Sequence, residues 1–314
     1  MKREQKCQII CHRGCNYDNF NPNTIRAFKK VLEEGASAFE FDVQLTADSE
    51  LIVIHNLDLS EVSTGVGPVQ TTTWDEISEI YSGDPEQGKD RIPKLEEVLQ
   101  LVASLPVGRK ITMNLELKGM GSGSPSGQLI RRWLDSGRLA IDNFLISSFD
   151  WDELRQFKKH CPELDLALIC GAILRDKLLP KLPCGPENFH KVFAYPAEAF
   201  ILPKKITFAE NKHLIDAAYT NQAERDVFYD VLHRALEGDF YNETLLSTAE
   251  ELNAVAVNLW DRSLSVDFMK QAQARGFKVN IFTVNKVSEI KKWSDAGVDG
   301  IFTDFYIDAV AALH

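Results

Sequence analysis

The sequence predicts an α/β fold of the (β/α)8 TIM-barrel class, with a hairpin extension after the second strand and an insertion between the fifth and sixth. Three observations carry this. Strand-like and helix-like segments alternate eight times along 314 residues, the pattern of parallel strands joined by crossover helices. Eight units over this length favour a closed barrel over an open doubly wound sheet, and neither a G-x-G-x-x-G turn nor a P-loop supports the open sheet. Two segments, Phe39 to Thr46 and Ile111 to Lys118, place polar side chains on one face and apolar ones on the other. In a barrel the apolar face packs on helices and the polar face turns inward.

Taken in order, a short apolar run ending at His12 is a first strand. Pro22-Asn23-Thr24 opens a helix in which Ile25, Phe28, Val31 and Leu32 recur at helical spacing until Gly35 stops it. A strand follows over 38–46. The rhythm returns as helix 94–103, strand 110–118, helix 126–134, strand 144–149, helix 151–160 and strand 165–170. After an interruption come strand 254–260, helix 264–275, strand 278–284, helix 288–296, strand 300–304 and a last helix.

Two segments break the rhythm. Residues 57–92 hold Gly65-Val66-Gly67-Pro68 and one short helical pattern around 74–80, and read as a surface connection. The second, about 171–242, carries Pro180, Pro183, Pro186, Pro196 and Pro203 and a helical pattern near 225–236. It is not of low complexity, so it reads as an insertion within a single domain spanning 1–314, covering one mouth or making a subunit contact.

Composition narrows the function. A net charge of -11 and the lack of a basic patch argue against nucleic acid or an anionic membrane as partner. No stretch approaches the roughly 18 apolar residues of a membrane span. Residues 1–14 lack the long apolar core and small-residue cleavage site of a secretory signal. The six cysteines include no C-x-x-C pair, and a chain of this size does not depend on disulfides, so a cytoplasmic protein is expected. Cys11, His12 and Cys15 could form a zinc site, but Cys7 and Cys11 share a strand face, where buried cysteines are ordinary.

The inward faces carry the chemistry. Glu40, Asp42 and Gln44 alternate with Phe41, Val43 and Leu45; Thr112, Asn114, Glu116 and Lys118 alternate with Met113, Leu115 and Leu117. Pairs of this kind are common on exposed strands, where they make weak ion pairs. Here they fall at strand C-terminal ends that a barrel brings together, where barrel enzymes place their sites. Glu40, Asp42 and Glu116 gathered at low dielectric need a cation to neutralise them. All-oxygen ligation favours Mg2+ or Ca2+ over zinc. Lys118 offers a point charge for a phosphate oxygen; His12 and Arg13 add a titratable group and a fork donor.

Between Thr46 and Leu51 lies a short polar turn, so a hairpin is expected. If Asp48 and Ser49 are its two central residues, His55 stands directly across from Asp42 on the same face, a placement that depends on the turn type.

Taken together, the sequence resembles the glycerophosphodiester phosphodiesterase family. The matching elements are His12-Arg13-Gly14, Asn23-Thr24 with Ala27-Phe28, Gly35-Ala36, Glu40-Phe41-Asp42-Val43 with Thr46, and His55. Further on they are Ile92 to Leu99, Glu116-Leu117-Lys118, Ser147-Ser148-Phe149, Phe282 to Asn285, and Gly297 to Gly300 with Thr303-Asp304. The resemblance implies that His12 and His55 are general acid and base, that Glu40, Asp42 and Glu116 hold one divalent cation, and that Arg13 and Lys118 bind the phosphate. Which histidine is acid is not legible. The chain departs from the family pattern at Pro22, where P-E-N-T has its glutamate, at Asn56, where H-D has its aspartate, and around 62–64, where an arginine is common. The changes at Pro22 and Asn56 make the surroundings of the site less acidic.

The implied activity is release of glycerol 3-phosphate and an alcohol from small glycerophosphodiesters. The same chemistry on lysophospholipids is the alternative within the class. A barrel that only binds phosphate ligands is the alternative outside it, and would show metal-dependent affinity without turnover. Oligomeric state is not legible.

Overall fold

Eight parallel strands close on themselves, and a ninth is hung on the second by a hairpin. The computed structural model describes residues 7–15, 21–84, 86, 89–169, 243–261 and 264–313. The expected insertion at 171–242, with its helix near 225–236, lies outside the described residues. The elements are β1 (Gln8–Cys11), α1 (Ile25–Glu33), β2 (Ala38–Leu45), β3 (Leu51–Val53), α2 (Trp74–Ile77), α3 (Leu95–Ala103), β4 (Thr112–Leu117), α4 (Gly123–Asp135) and β5 (Phe144–Ser148). They continue with α5 (Trp151–Lys158), β6 (Leu166–Ile169), α6 (Glu243–Glu251), β7 (Ala256–Trp260), α7 (Val266–Ala274), β8 (Lys278–Phe282), α8 (Val287–Ala296), β9 (Gly300–Thr303) and α9 (Tyr306–Ala312). Closure comes from β1, which pairs with β2 through Cys11 and Phe39 and with β9 over all four of its residues. The barrel class expected from the alternation is the fold observed; α6 carries no expectation from the sequence.

Alternation along each strand sorts the two sides. Phe39, Phe41 and Val43 face outward into the main core, where the buried stripe of α1 meets them. The Phe28 ring lies 5.0 Å from that of Phe39 and 5.7 Å from that of Phe41. Each such ring contributes about 1.5–3 kcal/mol by leaving water. Thr24 caps this helix, its side-chain oxygen accepting from the Ala27 amide. Inward residues form an apolar group of Ile10, Ala38, Ile169, Phe282 and Phe302 and polar pairs in which Asn114 donates to Ser147 and Asn280 donates to Asn258.

The hairpin departs from the expected register. Val43 pairs with Val53, Gln44 with Ile52 and Leu45 with Leu51, one residue away from the pairing that sets His55 against Asp42. The turn has three residues rather than two: the Thr46 amide donates to Glu50 O, and Ser49 takes a left-handed φ of 67°. Asp48 stabilises this longer turn, accepting from the Thr46 hydroxyl at 2.6 Å and the Trp74 amide at 2.9 Å. The 57–92 segment is also more than a connection. Leu59, Val69, Ile77 and Ile92 bury a small core of their own against Ile52 and Ile54.

Candidate active site at the barrel mouth

The parallel register of β2 and β4 sets Asp42 beside Glu116 and Glu40 beside Asn114. Glu40, Asp42 and Glu116 each bring one carboxylate oxygen within 4.8 Å of the others, and all three are buried. Among the described residues no other set of three His, Cys, Asp or Glu ligands converges in this way. Cys11, His12 and Cys15 do not converge as such a set, and Cys15 Sγ turns to the Thr303 carbonyl.

His12 and Arg13 reach this cluster from a tight turn just beyond β1. Arg13, Gly14 and Cys15 all have positive φ, at 53°, 78° and 67°. Non-glycine residues held there cost on the order of 1–3 kcal/mol each, so the turn is strained. Gly14 has no substitute: a Cβ would lie 2.8 Å from Phe28 Cδ1 and 3.1 Å from Ala27 Cβ. The strained path aims the Arg13 amide at Glu40 Oε2, 3.0 Å away, and brings Arg13 Nε within 3.3 Å of Asp42 Oδ2. His12 is fixed from the far end of the chain, its Nδ1 2.7 Å from Asp304 Oδ1. Its Nε2 then faces Glu40 Oε2 at 4.0 Å. Asn285 completes the support, donating to Asp304 Oδ2 and accepting from the Asp304 amide.

His55 does not stand across from Asp42 in the ladder, because the shifted register ends with the Ile54 amide donating to Asp42 O. The chain bends immediately after, and the imidazole still lies near enough to Asp42, Arg13 and Lys118 to feel their charges. Its Nδ1 is hydrogen-bonded to the Asn56 side-chain oxygen. Burial, with the Arg13 and Lys118 cations, holds His55 well below the ordinary imidazole value; Asp42 and the Asn56 oxygen oppose this and lose.

The carboxylates divide in behaviour. Burial and the charges of Asp42 and Glu116 push Glu40 well above the usual carboxylate range. Burial also raises Glu116, against the pull of Lys118. For Asp42 burial acts upward too, but Lys118, His55, Arg13 and the Asn23 amide outweigh it and hold it low. Lys118 Nζ lies 2.9 Å from Glu116 Oε1 and 3.2 Å from Asp42 Oδ1. Asn23 donates to Asp42 Oδ2 at 2.8 Å. Asp42 Oδ1 is buried, and its contact with the Lys118 ammonium is an ion pair without hydrogen-bond geometry. Three buried carboxylates whose oxygens converge within 4.8 Å fit a hard divalent cation.

Across the mouth the wall is aromatic. The ring of Phe149 meets that of Phe282 edge-on at 6.0 Å, Lys118 Nζ sits 5.6 Å from the Phe149 ring, and Trp260 packs on the same group. All seven site residues expected from the sequence thus meet at one end of the barrel. Asp304 and Asn285, which hold His12, and Asn23, which holds Asp42, carried no assigned role in the sequence; their only signal was membership of the matching motifs.

Fold and site together define a (β/α)8-barrel enzyme with an acidic cluster, two histidines and two cations at the C-terminal mouth. A family model, the glycerophosphoryl diester phosphodiesterase family, matches residues 12–239 and 241–307. The chain belongs to that family, and it is a phosphodiesterase. It is 34% identical over 180 residues to a glycerophosphodiester phosphodiesterase of Caldanaerobacter subterraneus, covering 54% of this chain and 69% of the relative. It is 27% identical over 302 residues to one of Bacillus altitudinis, with 95% and 94% covered. Among solved structures, a phosphodiesterase of Oleispira antarctica in complex with the product sn-glycerol-3-phosphate superposes with a TM-score of 0.68. That match has 19% identity and covers 98% of this chain and 97% of the other, a likeness of fold. Among the described residues no helix is long and apolar enough to cross a membrane.

Proposed function

We propose that this protein is a divalent-metal-dependent phosphodiesterase that cleaves glycerophosphodiesters to glycerol 3-phosphate and an alcohol. The observation that carries the reading is the convergence of three buried carboxylates within 4.8 Å, flanked by His12, His55, Arg13 and Lys118. Glu40, Asp42 and Glu116 would hold Mg2+ or Ca2+. When bound, such an ion polarises the phosphoryl group and offsets its developing charge. Arg13 and Lys118 grip the phosphate oxygens, and both already lie against Asp42. His12 and His55 move the protons: one takes a proton from the attacking oxygen, the other gives one to the oxygen of the departing alcohol. Asp304 keeps the His12 ring in register for this exchange.

Glycerophosphocholine and glycerophosphoethanolamine are the direct substrates to test, on protein stripped of metal and then given Mg2+ or Ca2+. Turnover should depend on the added ion and fall by about 100-fold or more in His12→Ala and in His55→Ala. Activity unchanged in both variants would sink the mechanism. The aromatic wall of Phe149, Trp260 and Phe282 supports a second substrate class, lysophospholipids, whose apolar chain it could cover. The ratio of kcat/KM on glycerophosphocholine to that on lysophosphatidylcholine decides between them.

A further inference from the structure

Gln44 sits two residues beyond Asp42 on the same inward face of β2 and is fully buried. Its side-chain nitrogen lies 3.0, 2.9 and 2.8 Å from the carbonyl oxygens of Ile54, His55 and Asn56. One amide group has only two protons, so three successive carbonyls turned toward it describe a chain curled around a single donor. The amide cannot be reversed, since its oxygen would then face three others, and Gln44 Oε1 itself accepts no hydrogen bond.

This contact lies where the hairpin stops being a strand. β3 ends at Val53, and Ile54 makes the last ladder bond to Asp42. One more extended residue would carry His55 to the face opposite Asp42. The bend over 54–56 brings it back. Gly119, next to Lys118, packs on the other side of the same residue, where a Cβ would come within 3.2 Å of Gln44 Cα.

We propose that Gln44 is a positioning residue for His55: its amide gathers the carbonyls of 54–56 into the bend that returns the imidazole to the carboxylate cluster. The proposal rests on the reading of His55 as a proton-transfer group. A residue that merely filled space would affect stability and leave its kinetic cost independent of His55.

The test uses Gln44→Met, of similar length without a donor, and Gln44→Glu, the same shape as an acceptor. Each is made in the wild type and in His55→Ala and assayed on glycerophosphocholine at saturating Mg2+. In the wild type, kcat should fall about 10- to 100-fold, the scale of a misplaced catalytic group, with KM changed by less than about threefold. In His55→Ala the same substitutions should cost less than about twofold, because the cycle removes the group through which Gln44 acts. Long-range imidazole 1H–15N spectra should show His55 signals that move and His12 signals that do not. Equal kinetic losses in both backgrounds overturn the proposal, and so do unmoved His55 signals. If the protein cleaves no phosphodiester, the spectra alone decide: displaced His55 signals uphold the positioning while the reading of its activity falls. Should the Met variant fail to fold, the Glu variant carries the same measurements.

Discussion

His55 and Gly14 show how much single residues are asked to do here. Desolvation and two neighbouring cations keep His55 neutral through the neutral range, since its folded value lies below that of a free imidazole. The rate limb that reports His55 should therefore lie below about pH 6.5, the unperturbed value. Lys118→Met removes one of those cations and should move that limb upward in pH, besides weakening phosphate binding. A pH–rate profile at saturating metal checks this, and a limb displaced downward would refute it. Gly14→Ala tests the strained turn: both the left-handed φ and the contact with Phe28 oppose a side chain. A loss of about 2–4 kcal/mol of stability is expected, read as a lowered urea midpoint with an unchanged slope.

Elements act on the site through their ends. Glu153 on α5 accepts from the Gly121 and Gly123 amides at 2.7 and 2.6 Å, clamping the loop that carries the chain from β4 into α4. Glu153→Ala leaves the buried Gly123 amide and the exposed Gly121 amide without that partner and should cost about 1–3 kcal/mol, measured by chemical denaturation, and should also loosen the neighbouring Lys118. The elements were legible wherever periodicity was strict. The inward placement of Glu40, Asp42 and Glu116 followed from residues alternating along β2 and β4, and α1 from its cap and its four-residue stripe. The hairpin register was not legible, because Ala47-Asp48-Ser49 fits a two- or a three-residue turn equally well and the choice rests on Ser49 entering a left-handed conformation. The contact of His12 with Asp304 spans 292 positions and has no local signal. Helix α6 follows directly in sequence on residues 171–242, whose five prolines and scattered aromatics give its start no clear periodic signal.

At the scale of the molecule, the buried carboxylate cluster lowers the stability of the metal-free fold. Glu40 and Glu116 have folded values raised above those of the unfolded chain. Their contribution is therefore fully present below the unfolded value and is lost as pH rises through the folded one. Asp42, held low, contributes in the opposite sense, above its unfolded value. Metal-free protein should accordingly gain stability on mild acidification from the alkaline side, and Glu40→Gln should melt higher than wild type in chelator while losing activity. Metal should reverse the order: an ion at 100 times its Kd adds about 2.7 kcal/mol to the wild type and little to the variant. Thermal unfolding with and without Mg2+ or Ca2+ gives both numbers; equal melting temperatures in chelator would refute the account.

The seam between β1 and β9 makes one contact of the site depend on stretches far apart in the chain. His12 follows β1 and Asp304 follows β9, 292 positions away, and the ladder between the two strands brings them together. With β9 undocked, the barrel would be open along that edge and His12 would lack the Asp304 carboxylate that orients it. Local opening of this seam would thus disconnect His12 while β2 and β4, which carry the carboxylates, stay paired, so closure of the barrel is itself a condition for the site to exist.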